Sequence, residues 1–86
     1  MPRAVIVAAR RTPIGRIGGL LRDVPVEDLA APVIRAVLAD AGLDGAAVDE
    51  VILGNAVGPG GNVARLSALA AGLPVSVPGV TVDRQC

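Results

Sequence analysis

The sequence predicts an α/β fold, a βαβαβ arrangement with mostly parallel strands. Two observations lead there. Short apolar runs, Val5-Ile6-Val7, Val51-Ile52-Leu53 and Val80 to Val82, alternate with two longer segments whose apolar residues recur every three or four positions. Glycine and proline mark the boundaries between them. Strands that alternate with helices become parallel neighbours joined by right-handed crossovers.

Ala4 to Ala9 reads as a fully buried strand, because it is short and β-branched and does not alternate polar with apolar residues. Arg10 to Asp23 follows as a loop punctuated by Pro13, Gly15, Gly18 and Gly19. Pro25 opens a helix, in whose first turn a missing N–H costs nothing, and Glu27 and Asp28 suit its positive end. Leu29, Val33, Ile34, Val37, Leu38 and Ala41 form one apolar stripe that packs on a sheet, and Gly42 stops the helix. Asp44 to Val48 is a turn, and a second buried strand begins at Val51 and runs out near Ala56-Val57.

Gly58, Gly60 and Gly61 make the next loop. Asn62 is the expected N-cap of a helix through Ala71, with Leu66, Leu69 and Ala70 inward and Gly72-Leu73-Pro74 ending it. Val75 to Gly79 connects to a third strand over Val80 to Val82. Parallel sheets are covered on both faces. Two helices do not cover three strands on both sides, so a further helical layer is expected from elsewhere.

Composition points the same way. The 86 residues are 52% hydrophobic with no aromatic side chain, so small residues must make a thin core. A chain of this size buries only roughly 60 to 65% of its unfolded surface, and the segment reads as part of a larger body. Eight Arg balance six Asp and two Glu, which argues against nucleic-acid and anionic-membrane partners. One Cys and no His provide neither an internal disulfide nor a metal cluster, and suggest a reducing, cytoplasmic setting. No apolar run reaches the roughly 18 residues of a membrane span. The Arg-rich first 22 residues lack the amphipathic helix of a transit segment, because Pro13 and three glycines interrupt them.

Four segments, in order, carry a family resemblance. Val5-Ile6-Val7-Ala8-Ala9 running into Arg11-Thr12-Pro13-Ile14-Gly15-Arg16-Ile17-Gly18-Gly19 resembles the amino-terminal signature of the thiolases. Val48 to Asn55 is similar to their second strand, and Asn62-Val63-Ala64-Arg65 to their Asn-Pro-Ala-Arg segment. Val82-Asp83-Arg84-Gln85-Cys86 resembles the Asn-Arg-x-Cys segment that delivers the nucleophile. Val63 replaces the usual proline and Asp83 the usual asparagine.

The resemblance implies the N-terminal part of a five-layered αβαβα fold. Residues 1–86 would form an incomplete N-terminal domain, the first part of the N-terminal half, with no second domain in this chain. It further implies a reversible Claisen condensation, or thiolytic cleavage of a 3-oxoacyl-CoA, by a homodimer or homotetramer. CoA and acyl-CoA enter as substrates, with no permanently bound cofactor and no metal.

By itself Cys86, the only cysteine, reads as a small buried hydrophobe as readily as a nucleophile. The resemblance makes it the acyl-thioester nucleophile, suited to the task because a thiolate attacks near neutral pH and its thioester stays reactive. The histidine and second cysteine that the family uses are not among these 86 residues, so the remainder of the polypeptide, covalent or separate, is an expected partner. That remainder is expected directly after Cys86, as a small-residue segment opening a helix. Alone, the 86 residues are expected to be inactive and to unfold or aggregate. The alternatives are another condensing enzyme of the superfamily, similar to the β-ketoacyl synthases, or a non-catalytic scaffold subunit. Arg11 to Gly19 matches no phosphate-binding fingerprint and is expected to be a structural loop. Arg65 suits either a subunit interface or a buried ion pair.

Overall fold

A computed structural model describes residues 2–84. In chain order it contains helix α1 (Val26–Ala41), one 3-10 turn (Gly45–Ala47), strand β1 (Val51–Asn55), helix α2 (Val63–Ala70) and strand β2 (Gly79–Asp83). The two strands are parallel, in a register that runs from Val51 opposite Gly79 to Asn55 opposite Asp83. Helix α2 is the crossover between them and packs on both strands and on α1. Val51, Ala64, Ala68, Leu73 and Val77 form the core, with Ile34, Leu38 and Leu53 packed around it.

The ends of α1 follow from the sequence. Pro25 occupies the N-cap position itself, extended at φ −60° and ψ 152°. At the other end Gly42 adopts φ 68°, a conformation that glycine reaches without steric cost. The amides of Gly42 and Leu43 then donate to the carbonyls of Ala39 and Leu38, which closes the helix with a Schellman motif. Asp44 caps the following 3-10 turn by accepting from the Ala46 amide.

Two expectations need correction. Ala4 to Ala9 is neither a strand nor buried: Ile6 is 89% exposed, and its neighbours Val5 and Val7 are similarly open. A strand needs a hydrogen-bonded neighbour and an apolar cover, and no described residue supplies either to this run. The order among the described residues is therefore helix, strand, helix, strand, and the α/β class with parallel strands stands. A bidentate ion pair holds the segment instead, Arg10 Nε and Nη2 donating to Asp40 Oδ2 and Oδ1 at 2.6 and 3.0 Å.

The second correction concerns the inward face of α2. Leu66 is 48% exposed, and Leu69 and Ala70 also face outward, whereas Val63, Ala64, Ser67 and Ala68 are buried. The reason is the closeness of α2 to β2. A Cβ on Gly79 would lie 2.6 Å from the Arg65 amide nitrogen and 2.9 Å from the Ala64 carbonyl carbon. At that separation only small side chains fit between helix and strand, so the leucines turn away. The far face of the sheet carries Ile52, 61% exposed, with Val80 and Val82, uncovered among the described residues.

Candidate functional site

Strand β2 leads the chain toward Cys86, which itself lies outside the described residues. What the structure shows is the machinery that fixes that strand. It starts in the connector after α2, where Leu73 and Val77 are buried in the core. The Val77 amide donates to the Pro74 carbonyl at 3.0 Å, and the Val51 amide donates to the Pro78 carbonyl at 2.9 Å. Arg65 Nη1 donates to the Val77 carbonyl at 2.8 Å. Among the described residues Arg65 makes no ion pair, and its guanidinium ties α2 to the connector.

Asn62 performs the expected capping and more. Its Oδ1 accepts from the Arg65 amide at 3.0 Å and from the Thr81 hydroxyl at 2.7 Å, while its Nδ2 donates to the Gly79 carbonyl at 2.9 Å. The Thr81 hydroxyl also accepts from the Ala64 amide at 3.1 Å, which satisfies another first-turn N–H of α2. One side chain from the helix and one from the strand thus join three first-turn or cap groups to two points on β2. Hydrogen bonds of this kind contribute about 1 kcal/mol each, net of the water they replace.

Two residues further along the same face of β2, Asp83 Oδ1 accepts from Asn55 Nδ2 at 3.4 Å. These residues are opposite one another in the parallel register. Asn55 in turn folds over Gly58, where a Cβ would lie 2.2 Å from its Oδ1, so a side chain at that position would displace the Asn55 amide. Asp83 and Arg84 are both exposed. Val63, at the first position of α2, is buried.

The described residues include no histidine, the side chain whose ordinary titration range lies nearest neutral pH. They include no group of three or more metal-ligating side chains, and no helix among them is long and apolar enough to cross a membrane. The perturbed titrating pair lies elsewhere: hydrogen bonding to Arg10 holds the Asp40 carboxyl below its ordinary value, and the same bond raises Arg10. In the Arg11 to Gly19 loop, Gly18 takes φ 71° and the Gly19 amide donates to the Arg16 carbonyl at 2.9 Å. Ile14 and Ile17 stand exposed there.

Sequence reasoning missed Thr81, Gly79 and Asn55 as parts of this arrangement. The available signal was one hydroxyl between two valines, Val80-Thr81-Val82, after an asparagine cap. Valine would fit a strand equally well by shape, so the threonine asks for a polar partner.

The pattern described as the thiolase N-terminal domain matches residues 4–86. YhfS of Bacillus subtilis (strain 168), which bears the name of an acetyl-CoA C-acetyltransferase, is 62% identical over 86 residues that cover 96% of this chain and 22% of YhfS. A protein of Staphylococcus aureus (strain NCTC 8325 / PS 47) named for acetyl-CoA acyltransferase activity is 47% identical over 88 residues, covering 100% of this chain and 22% of its own length. The crystal structure of the Bacillus anthracis acetyl-CoA acetyltransferase superimposes with a TM-score of 0.86 at 48% identity, over 93% of this chain and 21% of that one. This chain thus spans about a fifth of the length of the relatives it matches. It belongs to the thiolase family and carries that family's N-terminal domain sequence from residue 4 to residue 86.

Proposed function

We propose that residues 1–86 are the first part of the N-terminal half of a thiolase-type acyl-CoA C-acyltransferase, in which Cys86 is the acyl-accepting nucleophile. The observation that carries this reading is the family match, which runs to Cys86 itself and includes the strand before it. The substrate class is a short acyl-CoA such as acetyl-CoA, in keeping with the names of the relatives. The Cys86 thiolate attacks the thioester carbonyl, the bond to the CoA sulfur breaks, and CoA leaves with a proton. The acyl group then passes to the α-carbon of a second acyl-CoA after that carbon loses a proton, and the Cys86 thiolate is regenerated. Run backwards, the same steps cleave a 3-oxoacyl-CoA with CoA.

Other parts of the protein supply the base, the acid and the oxyanion donors. The uncovered apolar face of Ile52, Val80 and Val82 supports the need for a further layer over this sheet. A homodimer or homotetramer in the cytoplasm, where a thiol stays reduced, completes the proposal. The test is to incubate the full-length protein with labelled acetyl-CoA and map the label by peptide mass. Label on Cys86 that disappears in Cys86→Ala is expected. Turnover that persists in Cys86→Ala, with no adduct on Cys86 in the parent, would overturn the proposal.

A further inference from the structure

We propose that Thr81 is a positioning residue for the chemistry of Cys86. Its hydroxyl anchors the strand that leads to the nucleophile onto the N-terminus of α2. The proposal rests on the reading of Cys86 as the nucleophile.

The geometry singles out Thr81 among the residues before Cys86. Its hydroxyl donates to Asn62 Oδ1 at 2.7 Å and accepts from the Ala64 amide at 3.1 Å, so both of its capacities are used by the first turn of one helix. The partly buried Ala64 bond is shielded from competing water, whereas the tie between Asn55 and Asp83 is long, at 3.4 Å, and exposed. The strand is also pressed directly against the α2 backbone at Gly79. Between that contact and Asp83, Thr81 is the point at which β2 can be held in both directions, along the strand and away from the helix. Reacting groups displaced by about 1 Å lose on the order of 100-fold in rate. A strand end that slides by a fraction of its repeat therefore carries a large kinetic penalty.

Three variants of the full-length protein test this. Thr81→Val keeps the shape and removes the hydroxyl; Thr81→Ser keeps the hydroxyl; Asn62→Gly removes the acceptor of that hydroxyl, leaving the Ala64 bond in place, and is still acceptable as a cap. In Thr81→Val and Asn62→Gly, kcat with acetyl-CoA is expected to fall about 10- to 100-fold with KM unchanged. The pH profile of Cys86 alkylation by iodoacetamide, followed by peptide mapping, is expected to move to higher pH as the thiolate loses fixed neighbours. Thr81→Ser is expected to restore both.

Parental kcat and an unshifted alkylation profile in either folded variant, or no recovery in Thr81→Ser, would overturn the proposal. Asn62→Gly decides alone if Thr81→Val does not fold. Alkylation does not depend on turnover. A shifted profile in a protein whose Cys86 takes no acyl label upholds the tie and refutes the nucleophile, whereas label on Cys86 with unaffected rates and profile refutes the tie alone.

Discussion

Replacing Gly79 by alanine tests the close approach of β2 to the α2 backbone. The added Cβ would lie 2.6 Å from the Arg65 nitrogen, 2.8 Å from its Cα and 2.9 Å from the Ala64 carbonyl carbon. Ordinary contacts begin at 3.4 Å, so α2 must retreat by about 0.8 Å. All three obstructing atoms are backbone, and no rotamer change relieves them. Overpacking of this kind costs about 1 to 3 kcal/mol, and the rigid neighbours place this site near the upper end. The retreat also stretches the 3.1 Å bond from the Ala64 amide to Thr81, adding about 1 kcal/mol. The expected loss is therefore about 4 kcal/mol. It is read as a lower urea midpoint at unchanged slope in the full-length protein. A midpoint equal to that of the parent would refute the claim that helix and strand touch through Gly79.

Other expectations follow from single residues. Ser67→Ala removes a fully buried hydroxyl that has no hydrogen-bond partner among the described residues, and should raise stability by about 1 kcal/mol in urea unfolding; a loss of that size would show that the hydroxyl is paired. Val63→Pro should be neutral or stabilise by up to about 1 kcal/mol, because the first helical position needs no N–H and Asn62, at φ −93° and ψ 87°, already avoids the α region that a following proline disfavours. Loss of secondary structure by circular dichroism would contradict this. The Asp40 carboxyl is depressed by its hydrogen bond to Arg10, so the tie between the N-terminal segment and α1 is complete above the ordinary carboxylate value and is lost as pH falls through the depressed one. NMR titration of Asp40 should show this, and Arg10→Gln should return the carboxyl to its ordinary range; a carboxyl that titrates in that range in the parent would refute it.

The sequence made α1 readable because its signals are local. Pro25, the spacing of three and four from Leu29 to Ala41, and Gly42 each act within one or two turns. Asn62 was legible as a cap for the same reason. The inward face of α2 was misjudged because large apolar residues ordinarily point inward, and only the contact at Gly79 reverses that preference. How closely two elements approach is a property of the pair, and neither segment contains it alone. The Ala4 to Ala9 run has the composition of a strand but no described neighbour to bond with, and composition does not provide one. Thr81 was overlooked because its two partners lie 17 and 19 residues earlier in the chain.

The tie between Thr81 and Asn62 also guards against mispairing. One face of the sheet carries Ile52, Val80 and Val82, while on the other Val51 and Leu53 of β1 lie beside Gly79, Thr81 and Asp83 of β2. The repeating backbone pairs equally well in more than one alignment, so the side chains on the two faces must set it. A slip of one residue would advance everything after Asp83 by about 3.3 Å. It would also present a valine to Asn62 and leave the Ala64 amide without the hydroxyl that accepts from it. One hydroxyl in a hydrophobic strand thus serves as a proofreading mark for the alignment of the sheet, and a chain assembled out of step would lack it.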